Sequence, residues 1–210
     1  MDTLDYIVDK FDLTLHRKGG TEISNVSRTI MAQTLGELGF KEGAEIGTAE
    51  GDHAEVLCKN NPGVKLHCVD VWSPYPGYLY REDMEKVFQE AVKKLSPYKV
   101  SFYKMFSMDA TKRFKDNSLD FVYIDAGHDF KNIAMDISEW SKKVKPGGIV
   151  FGHDYIRSKT YGMHVREVVP AYVYAHSLKS WFVLKNDTKD PAFRKDCSGW
   201  MFIRSKEDEI

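Results

Sequence analysis

Apolar positions along the chain alternate between two spacings, which predicts alternating strands and helices. Short apolar runs bounded by Gly, Pro, Asn or Asp predict five strands, at 44–46, 65–69, 100–103, 119–124 and 148–151. Apolar residues three and four positions apart predict helices at 49–59, 81–95, 130–144 and 165–175. Because this alternation requires crossover connections, we expect a mostly parallel sheet with helices on both faces.

The pattern of residues 1–39 predicts two helices and no strand. Residues 4–15 predict a short helix, and a second helix is expected to begin after Ser24 or Asn25, either of which is a favourable N-cap, and to end at Gly39. We therefore expect residues 1–39 to form a helical cap on a single compact core.

That core, residues 40–210, ends in a different pattern. Apolar runs at 181–184 and 200–204 have no helical pattern between them, which predicts an antiparallel hairpin. The expected fold is α/β and doubly wound, with a mostly parallel seven-stranded sheet, helices on both faces and an antiparallel C-terminal hairpin strand.

Composition narrows the classes of partner. The 210 residues carry 30 Lys and Arg against 31 Asp and Glu, a net charge of −1, so no long-range attraction to nucleic acid or an anionic membrane is expected. We expect a small-molecule partner, and the N-terminal helices are also a candidate surface for a homo-oligomer. Three cysteines do not indicate a disulfide framework, and neither a signal peptide nor an apolar run of about 20 residues is evident, so a cytoplasmic protein is expected.

The segment after the first predicted strand is a candidate nucleotide loop. It reads Glu45-Ile46-Gly47-Thr48-Ala49-Glu50-Gly51, where glycines permit a tight turn and a close ligand approach and the following helix offers free amides. The spacing is G-x-x-x-G, which is neither the dinucleotide fingerprint nor a phosphate loop. The alternative is a glycine-assisted turn of any doubly wound fold.

Acidic residues follow the next two strands. Asp70 comes about 20 residues after the glycine turn, where an acid binds the ribose hydroxyls of a nucleoside, and Val71 follows it. Asp109, close to Ser107, is placed to accept from an adenine amino group. The alternatives are a turn aspartate for Asp70 and a helix N-cap for Asp109. Since all these positions follow strands, their joint placement favours a ligand site.

The fourth and fifth strands end in a second set of polar residues. Asp125, His153 and Asp154 are expected to converge on a divalent cation; carboxylates favour Mg²⁺, Ca²⁺ or Mn²⁺, and an imidazole shifts the preference toward Mn²⁺ or a later transition metal. His128 is a candidate general base because an imidazole titrates near neutral pH. The alternatives are that His128 packs at the start of the next helix and that His153 only hydrogen-bonds a ligand.

These motifs resemble class I S-adenosylmethionine-dependent methyltransferases, and more narrowly the macrocin-O-methyltransferase-like branch. The resemblance rests on 45–51, Val69-Asp70, Tyr123 to His128, and the segment from Val144 to Tyr155 with its Pro-Gly-Gly turn.

The resemblance implies a Rossmann-like methyltransferase and roles for its residues. The cofactor is S-adenosyl-L-methionine, with candidate binding residues Glu45, Gly47, Thr48, Gly51, Asp70, Val71, Ser107, Asp109 and Asp125. The histidine of the I-D-x-x-H motif serves sugar-modifying members as base, and His128 matches it beside Asp125. Those members bind Mg²⁺ or another divalent cation, at positions matched by Asp125, His153 and Asp154. His153 stands where they have an acid.

Two loops are candidates for the acceptor wall. Trp72 to Tyr80 is aromatic and follows the ribose acid, and Arg157 and Lys159 follow the fifth strand, where they would face an anionic acceptor. The alternatives are aromatic side chains that pack on one another and charges that face solvent.

The expected activity is O-methylation of a small or glycosidic hydroxyl. Competing interpretations are a nucleotide-sugar or NAD-dependent Rossmann enzyme, which the glycine spacing disfavours, and a non-catalytic cofactor-binding subunit, which Asp125 and His128 disfavour. Nucleic-acid methylation is disfavoured by the lack of an Asn/Asp-Pro-Pro-Tyr/Phe motif and of a basic arm.

Overall fold

Strands and helices alternate along the chain in the computed structural model, which describes residues 2–16, 19–75, 83–158, 162–186 and 197–205. The helices are α1 (Thr3–Lys10), α2 (Arg28–Glu37), α3 (Asp52–Asn60), α4 (Met84–Leu95), α5 (Ser107–Ala110), α6 (Phe130–Lys143) and α7 (Val165–Ala175), with a 3-10 turn at Thr111–Arg113. The strands are β1 (Thr21–Ile23), β2 (Glu42–Ile46), β3 (Lys65–Asp70), β4 (Val100–Lys104), β5 (Leu119–Ile124), β6 (Val144–Gly152), β7 (Trp181–Leu184) and β8 (Gly199–Ile203).

The described strands form one sheet in the order β1-β7-β8-β6-β5-β2-β3-β4. Neighbours are parallel except at β8, which runs antiparallel to both β6 and β7. The chain runs from β2 outward to β4 and then returns to β5 on the other side of β2. In such sheets a crevice forms where the connections diverge, at the carboxyl ends of the strands.

Register brings the predicted functional loops to one edge of the sheet. Ile46 at the end of β2 pairs with Val69 of β3 and with Ile124 of β5, and Ile124 pairs with Gly152 of β6. The residues that follow these positions leave the sheet at the same edge. The parallel α/β sheet, its two helical faces and the C-terminal hairpin are therefore confirmed.

The expected count of seven strands is wrong, since β1 makes the described sheet eight-stranded. β1 has three residues and pairs in parallel with β7. It is too short to show an alternating pattern, and its apolar content comes mainly from Ile23. The N-terminal 39 residues thus hold two helices and also an edge strand.

The N-cap of α2 is Ser27, not Ser24 or Asn25. The Ser27 hydroxyl accepts a hydrogen bond from the Ile30 amide at 3.3 Å. Ser24 and Asn25 lie instead in the turn after β1, where Asn25 has φ +58°. Three favourable cap residues within four positions made the choice ambiguous from sequence. Gly39 ends the helix as predicted, with φ +73°.

Apolar side chains on the two faces of the sheet form two cores. On β5, Phe121 and Tyr123 face one core, which contains residues of α2, α3 and α4, while Val122 and Ile124 face the other, which contains residues of α6 and α7. This is the period-two alternation of a strand buried on both sides. The buried faces fix the sheet and thereby the positions of the loops at its edge. None of the described helices is long and apolar enough to span a membrane.

Candidate functional site

A cavity of about 220 Å³ lies at the carboxyl ends of β2, β3 and β5, at the crevice expected from the strand order. The loops after these strands form its walls, together with the segment after β4. Its lining residues are Ile46, Gly47, Ala49, Val69, Asp70, Val71, Tyr75, Met105, Ser107, Asp125, Ala126, Gly127 and His128. Five of the nine residues predicted to bind a cofactor are among them: Gly47, Asp70, Val71, Ser107 and Asp125.

Gly47 shapes the floor of the cavity. Its φ is +94°, and a Cβ added there would lie 2.1 Å from the carbonyl oxygen of Asp125. Its amide donates to Val69 at 2.8 Å, and the Asp125 amide donates to Ile46 at 2.8 Å. Only glycine fits this conformation and this contact. Glycine therefore lets the loops after β2 and β5 pack backbone to backbone where they form the cavity wall.

Asp70 holds the glycine-containing loop against the end of β3. Its carboxylate accepts from the amides of Ala49 at 2.9 Å and Trp72 at 3.1 Å. The Trp72 indole donates to the Ala49 carbonyl at 2.8 Å. Ala49 in the loop after β2 is therefore hydrogen-bonded through both its amide and its carbonyl to residues at the end of β3. A carboxylate has about four acceptor positions, so two remain for a ligand. Asp70 thus combines the turn role of the alternative interpretation with a position on the cavity wall.

Glu45, Thr48 and Gly51 do not line this cavity. Glu45 is 1% exposed and accepts from His53 Nδ1 at 2.9 Å, beneath the loop. Burial raises the pKa of Glu45 above its ordinary value, and the bond from His53 opposes that rise. Thr48 is buried, and Gly51 is the N-cap of α3 with φ +79°. These three residues support the loop from below.

Ser107 and Asp109 lie on the same short helix but meet different surroundings. Ser107 lines the cavity; its hydroxyl donates to Asp136 and accepts from the Trp140 indole at 2.8 Å. Asp109 is exposed, pairs with Lys112 at 2.7 Å and lines a separate open cleft. Val71 and Tyr75 line both spaces, so Asp109 lies next to the cavity rather than in its wall.

The described part of the aromatic loop divides between core and cavity. Trp72 is buried and packs against Phe88 and Phe102, whereas Tyr75 lines the cavity and contacts Phe106 edge-on. The rest of this predicted loop falls in 76–82, and Lys159 falls in 159–161, both outside the described residues. Arg157 is exposed and lies 3.6 Å from Glu167.

His128 lies between two carboxylates at the end of the cavity opposite Asp70. Its Nε2 is 2.8 Å from Asp154 and 3.3 Å from Asp125, whose other oxygen accepts from Tyr123 at 3.3 Å. Burial lowers the pKa of His128, but the hydrogen bonds and charges of the two aspartates outweigh it and raise the pKa to about 10. Burial opposes ionisation of both aspartates, yet contact with His128 holds their pKa values below the ordinary range.

The predicted metal ligands fall into two overlapping groups that share Asp154. One contains Asp125, His128 and Asp154, and the other contains His153, Asp154 and Cys197; in each, the ligand atoms lie within 4.8 Å of one another. Oxygen, nitrogen and sulfur donors at such separations fit a divalent cation. Asp125, His153 and Asp154 thus come to one region, although Asp125 and His153 belong to different groups.

Cys197 is the residue that sequence reasoning missed. It lies two residues before β8, far along the chain from the other polar residues, and belongs to no ligand-spacing motif. The only signal was topological. A C-terminal strand antiparallel to β6 brings the residues before it next to the residues that follow β6.

Comparisons with solved structures agree with the fold. An O-methyltransferase from Bacillus cereus in complex with S-adenosylhomocysteine has TM-score 0.65 and 18% identity, covering 96% of this chain and 90% of that one. A Streptomyces achromogenes O-methyltransferase involved in tomaymycin synthesis, in complex with S-adenosylmethionine, has TM-score 0.66 and 14% identity, covering 97% and 89%. No curated protein sequence matches the chain significantly.

The sequence itself matches the model of a methyltransferase domain over residues 44–155. This range begins in β2 and ends just after Asp154, and so contains every residue that lines the 220 Å³ cavity. Because the match also covers more than half of the 210 residues, the chain belongs to the methyltransferase-domain family.

Proposed function

We propose that the chain is an S-adenosylmethionine-dependent O-methyltransferase that acts on a small or glycosidic hydroxyl. One observation carries the proposal: a single cavity is lined by Gly47 and Asp70, which follow β2 and β3, and by Asp125 and His128, which follow β5. A methyl transfer needs such a pair of adjacent sites, because the acceptor oxygen must approach the methyl carbon in line with the departing sulfur.

The cofactor end fits a nucleoside with a polar tail. S-Adenosylmethionine supplies a methyl group on a positively charged sulfur, so that the new carbon–oxygen bond forms as the carbon–sulfur bond breaks. Gly47 would present a wall without a side chain to the tail, and the remaining acceptor positions of Asp70 would hold the ribose hydroxyls. Asp125, which lines the cavity next to Gly47, would place a negative charge beside the positive sulfur.

His128 is the proposed base at the acceptor end. Asp125 and Asp154 raise its pKa to about 10 and so keep the imidazole protonated, and it can take the hydroxyl proton only once the charges of these two carboxylates are neutralised. A divalent cation, when bound, supplies positive charge that makes a coordinated hydroxyl more acidic and competes with His128 for the two carboxylates. The Ile124-Asp125 to His128 motif and Asp154 support the macrocin-O-methyltransferase-like branch within the family, whereas His153 departs from its pattern.

Calorimetry tests the cofactor directly. We expect S-adenosylmethionine and S-adenosylhomocysteine to bind and NAD to give no heat. Binding of NAD alone would overturn the proposal. A panel of sugars, glycosides and small phenols is then assayed for S-adenosylhomocysteine formation. Cofactor binding without turnover on any acceptor would favour the non-catalytic cofactor-binding subunit instead.

A further inference from the structure

Cys197 brings a sulfur ligand to the acceptor end of the site. Its Sγ lies 3.1 Å from Asp154 Oδ1, and 3.5 Å and 3.7 Å from Nε2 and Nδ1 of His153; that Nδ1 lies 3.5 Å from the same Asp154 oxygen. The side chains of His153 and Asp154 are only 13% and 19% exposed. Three different donor types thus face one another in a largely buried triangle.

The fold fixes this triangle from both sides. β6 and β8 pair up to Gly152 opposite Trp200, and beyond the pairing the Tyr155 amide donates to the Ser198 carbonyl at 2.8 Å. Gly199 permits the approach, because a Cβ there would lie 2.7 Å from the Gly152 carbonyl oxygen. The backbone that carries His153 and Asp154 is therefore hydrogen-bonded to the backbone that carries Cys197.

The spacing of the three atoms matches a tetrahedral metal shell. Zinc bond lengths of about 2.0–2.3 Å place neighbouring tetrahedral ligand atoms roughly 3.3–3.6 Å apart. The observed separations of 3.1, 3.5 and 3.7 Å lie around that range. A cavity of about 20 Å³, lined in part by His153 and Cys197, adjoins the triangle and has room for one water-sized species.

Asp154 is held in an unusual backbone conformation at this point. Its φ is +55°, in the left-handed region that non-glycine residues seldom adopt. In this conformation its Oδ2 contacts His128 while its Oδ1 faces His153 and Cys197. Asp154 is therefore the residue that links the base to the triangle.

We infer that His153, Asp154 and Cys197 form a three-ligand site for Zn²⁺, with a fourth position left for water or the acceptor hydroxyl. A thiolate and an imidazole select a borderline metal over Mg²⁺ or Ca²⁺, which take oxygen ligands. Three protein ligands with one open position are the arrangement of catalytic rather than structural zinc sites. The inference that the ion binds depends only on these three residues. The role of the fourth position, as the place of the acceptor hydroxyl, rests on the proposed function.

Cobalt substitution tests the inference without an activity assay. Metal-free protein is titrated with Co²⁺, which should give a thiolate-to-cobalt charge-transfer band and the intense visible bands of four-coordinate cobalt. Cys197→Ser should abolish the charge-transfer band and weaken Zn²⁺ binding by about 100-fold or more, since even the loss of residues that only orient ligands weakens binding 10–100-fold. Cys58→Ala, which removes a cysteine of the α3 core, should keep the band.

Several results would overturn the site. A six-coordinate cobalt spectrum without the charge-transfer band, or a band that persists in Cys197→Ser, would exclude the thiolate ligand. Displacement of Co²⁺ by Mg²⁺ at a similar concentration would assign the ion to the Asp125, His128 and Asp154 group instead. These results would leave cofactor binding by calorimetry unaffected, so failure here is distinct from failure of the proposed function.

Alkylation of the unmodified protein provides a test that needs no variant. Iodoacetamide labelling of Cys197, followed by mass spectrometry, should be slowed by one equivalent of Zn²⁺ and unaffected by Mg²⁺. Equal labelling with and without Zn²⁺ would contradict the inference even if Cys197→Ser failed to fold.

Discussion

Nε2 of His128 lies 2.8 Å from Oδ2 of Asp154, which joins the loop after β5 to the loop after β6. The two residues are 26 positions apart in sequence, and the pairing of Ile124 with Gly152 brings their strands to the same edge. Through this contact the proposed base shares a carboxylate with the proposed metal ligands. A change at His128 should therefore affect turnover more than cofactor binding, for which we propose Asp70 on the other side of the cavity.

We predict that His128→Ala lowers the rate of methyl transfer by at least about 100-fold, the lower end of what general-base catalysis contributes. The dissociation constant for S-adenosylmethionine should change by only a few-fold, because His128 lies at the acceptor end. Product formation and calorimetry measure the two effects. His176→Ala is the control, since His176 caps the C-terminus of α7 and does not line the cavity. Full turnover by His128→Ala would refute the base assignment.

Asp70→Ala should weaken S-adenosylmethionine binding by at least about tenfold, the value of one charge-assisted hydrogen bond. Because the change also leaves the Ala49 and Trp72 amides without their acceptor, some stability should be lost as well. Asp120→Ala is the matched control. Its carboxylate likewise accepts from two backbone amides, those of Lys41 and Glu42, but it lies at the opposite end of the sheet.

Thermal denaturation and calorimetry separate the two effects of the aspartate substitutions. Both variants should lose about 1–3 kcal/mol of stability, because each loses two hydrogen bonds worth roughly 0.5–1.5 kcal/mol apiece, and Asp120→Ala also loses an ion pair with Lys145. Only Asp70→Ala should lose affinity for the cofactor. If Asp120→Ala weakened binding equally, Asp70 would be acting on the stability of the loop and not on the ligand.

Gly47→Ala should be far more damaging than an ordinary glycine substitution. At Gly47 the new Cβ would meet the Asp125 carbonyl oxygen at 2.1 Å, and backbone cannot move aside as a flexible side chain can. Gly63 has a similar φ of +85° with nothing within 4 Å of an added Cβ, so Gly63→Ala carries only the left-handed backbone penalty of roughly 1–2 kcal/mol. Urea unfolding should show a clearly larger loss for Gly47→Ala, together with lost cofactor affinity. Equal losses would mean that the loop relaxes freely.

The fold was largely predictable because its strands and helices carry strong patterns. The runs at 119–124 and 181–184 and the helix at 165–175 are confirmed to the residue. β1 could not be found in this way, since three residues cannot establish a period and its pairing with β7 is a tertiary contact. The N-cap of α2 was missed for a related reason: several residues suit the role, and the turn after β1 decides among them.

The candidate site was predictable where its residues directly follow strands. Gly47, Asp70, Asp125 and His128 are of this kind, and the structure places all four on one cavity. Glu45 and Thr48 belong to the same motif but face the protein interior, and a motif alone does not show which way a side chain points. Cys197 required knowledge of the β6 and β8 pairing, which sequence spacing does not give.

The last prediction concerns Asp136, which supports the cavity residue Ser107 and is 3% exposed. Burial raises its pKa from 3.8 to about 6, against the opposing bond from Ser107. Between pH 4 and 6 the folded state therefore binds more protons than the unfolded state, so this group's contribution to stability falls as pH rises and levels off above pH 6.

Asp136→Asn removes that titration while keeping an amide that can bond Ser107. Relative to the unmodified protein, its free energy of unfolding should rise by about 1–3 kcal/mol between pH 4.5 and 7.5, measured by urea unfolding at each pH. Asp129→Asn at the start of α6 is an opposite control. Hydrogen bonds from Asn132 and Lys131 outweigh burial and lower the pKa of Asp129, so that variant should lose stability relative to the unmodified protein as pH rises from strongly acid values. A pH-independent difference for Asp136→Asn would show that Asp136 ionises normally despite its burial.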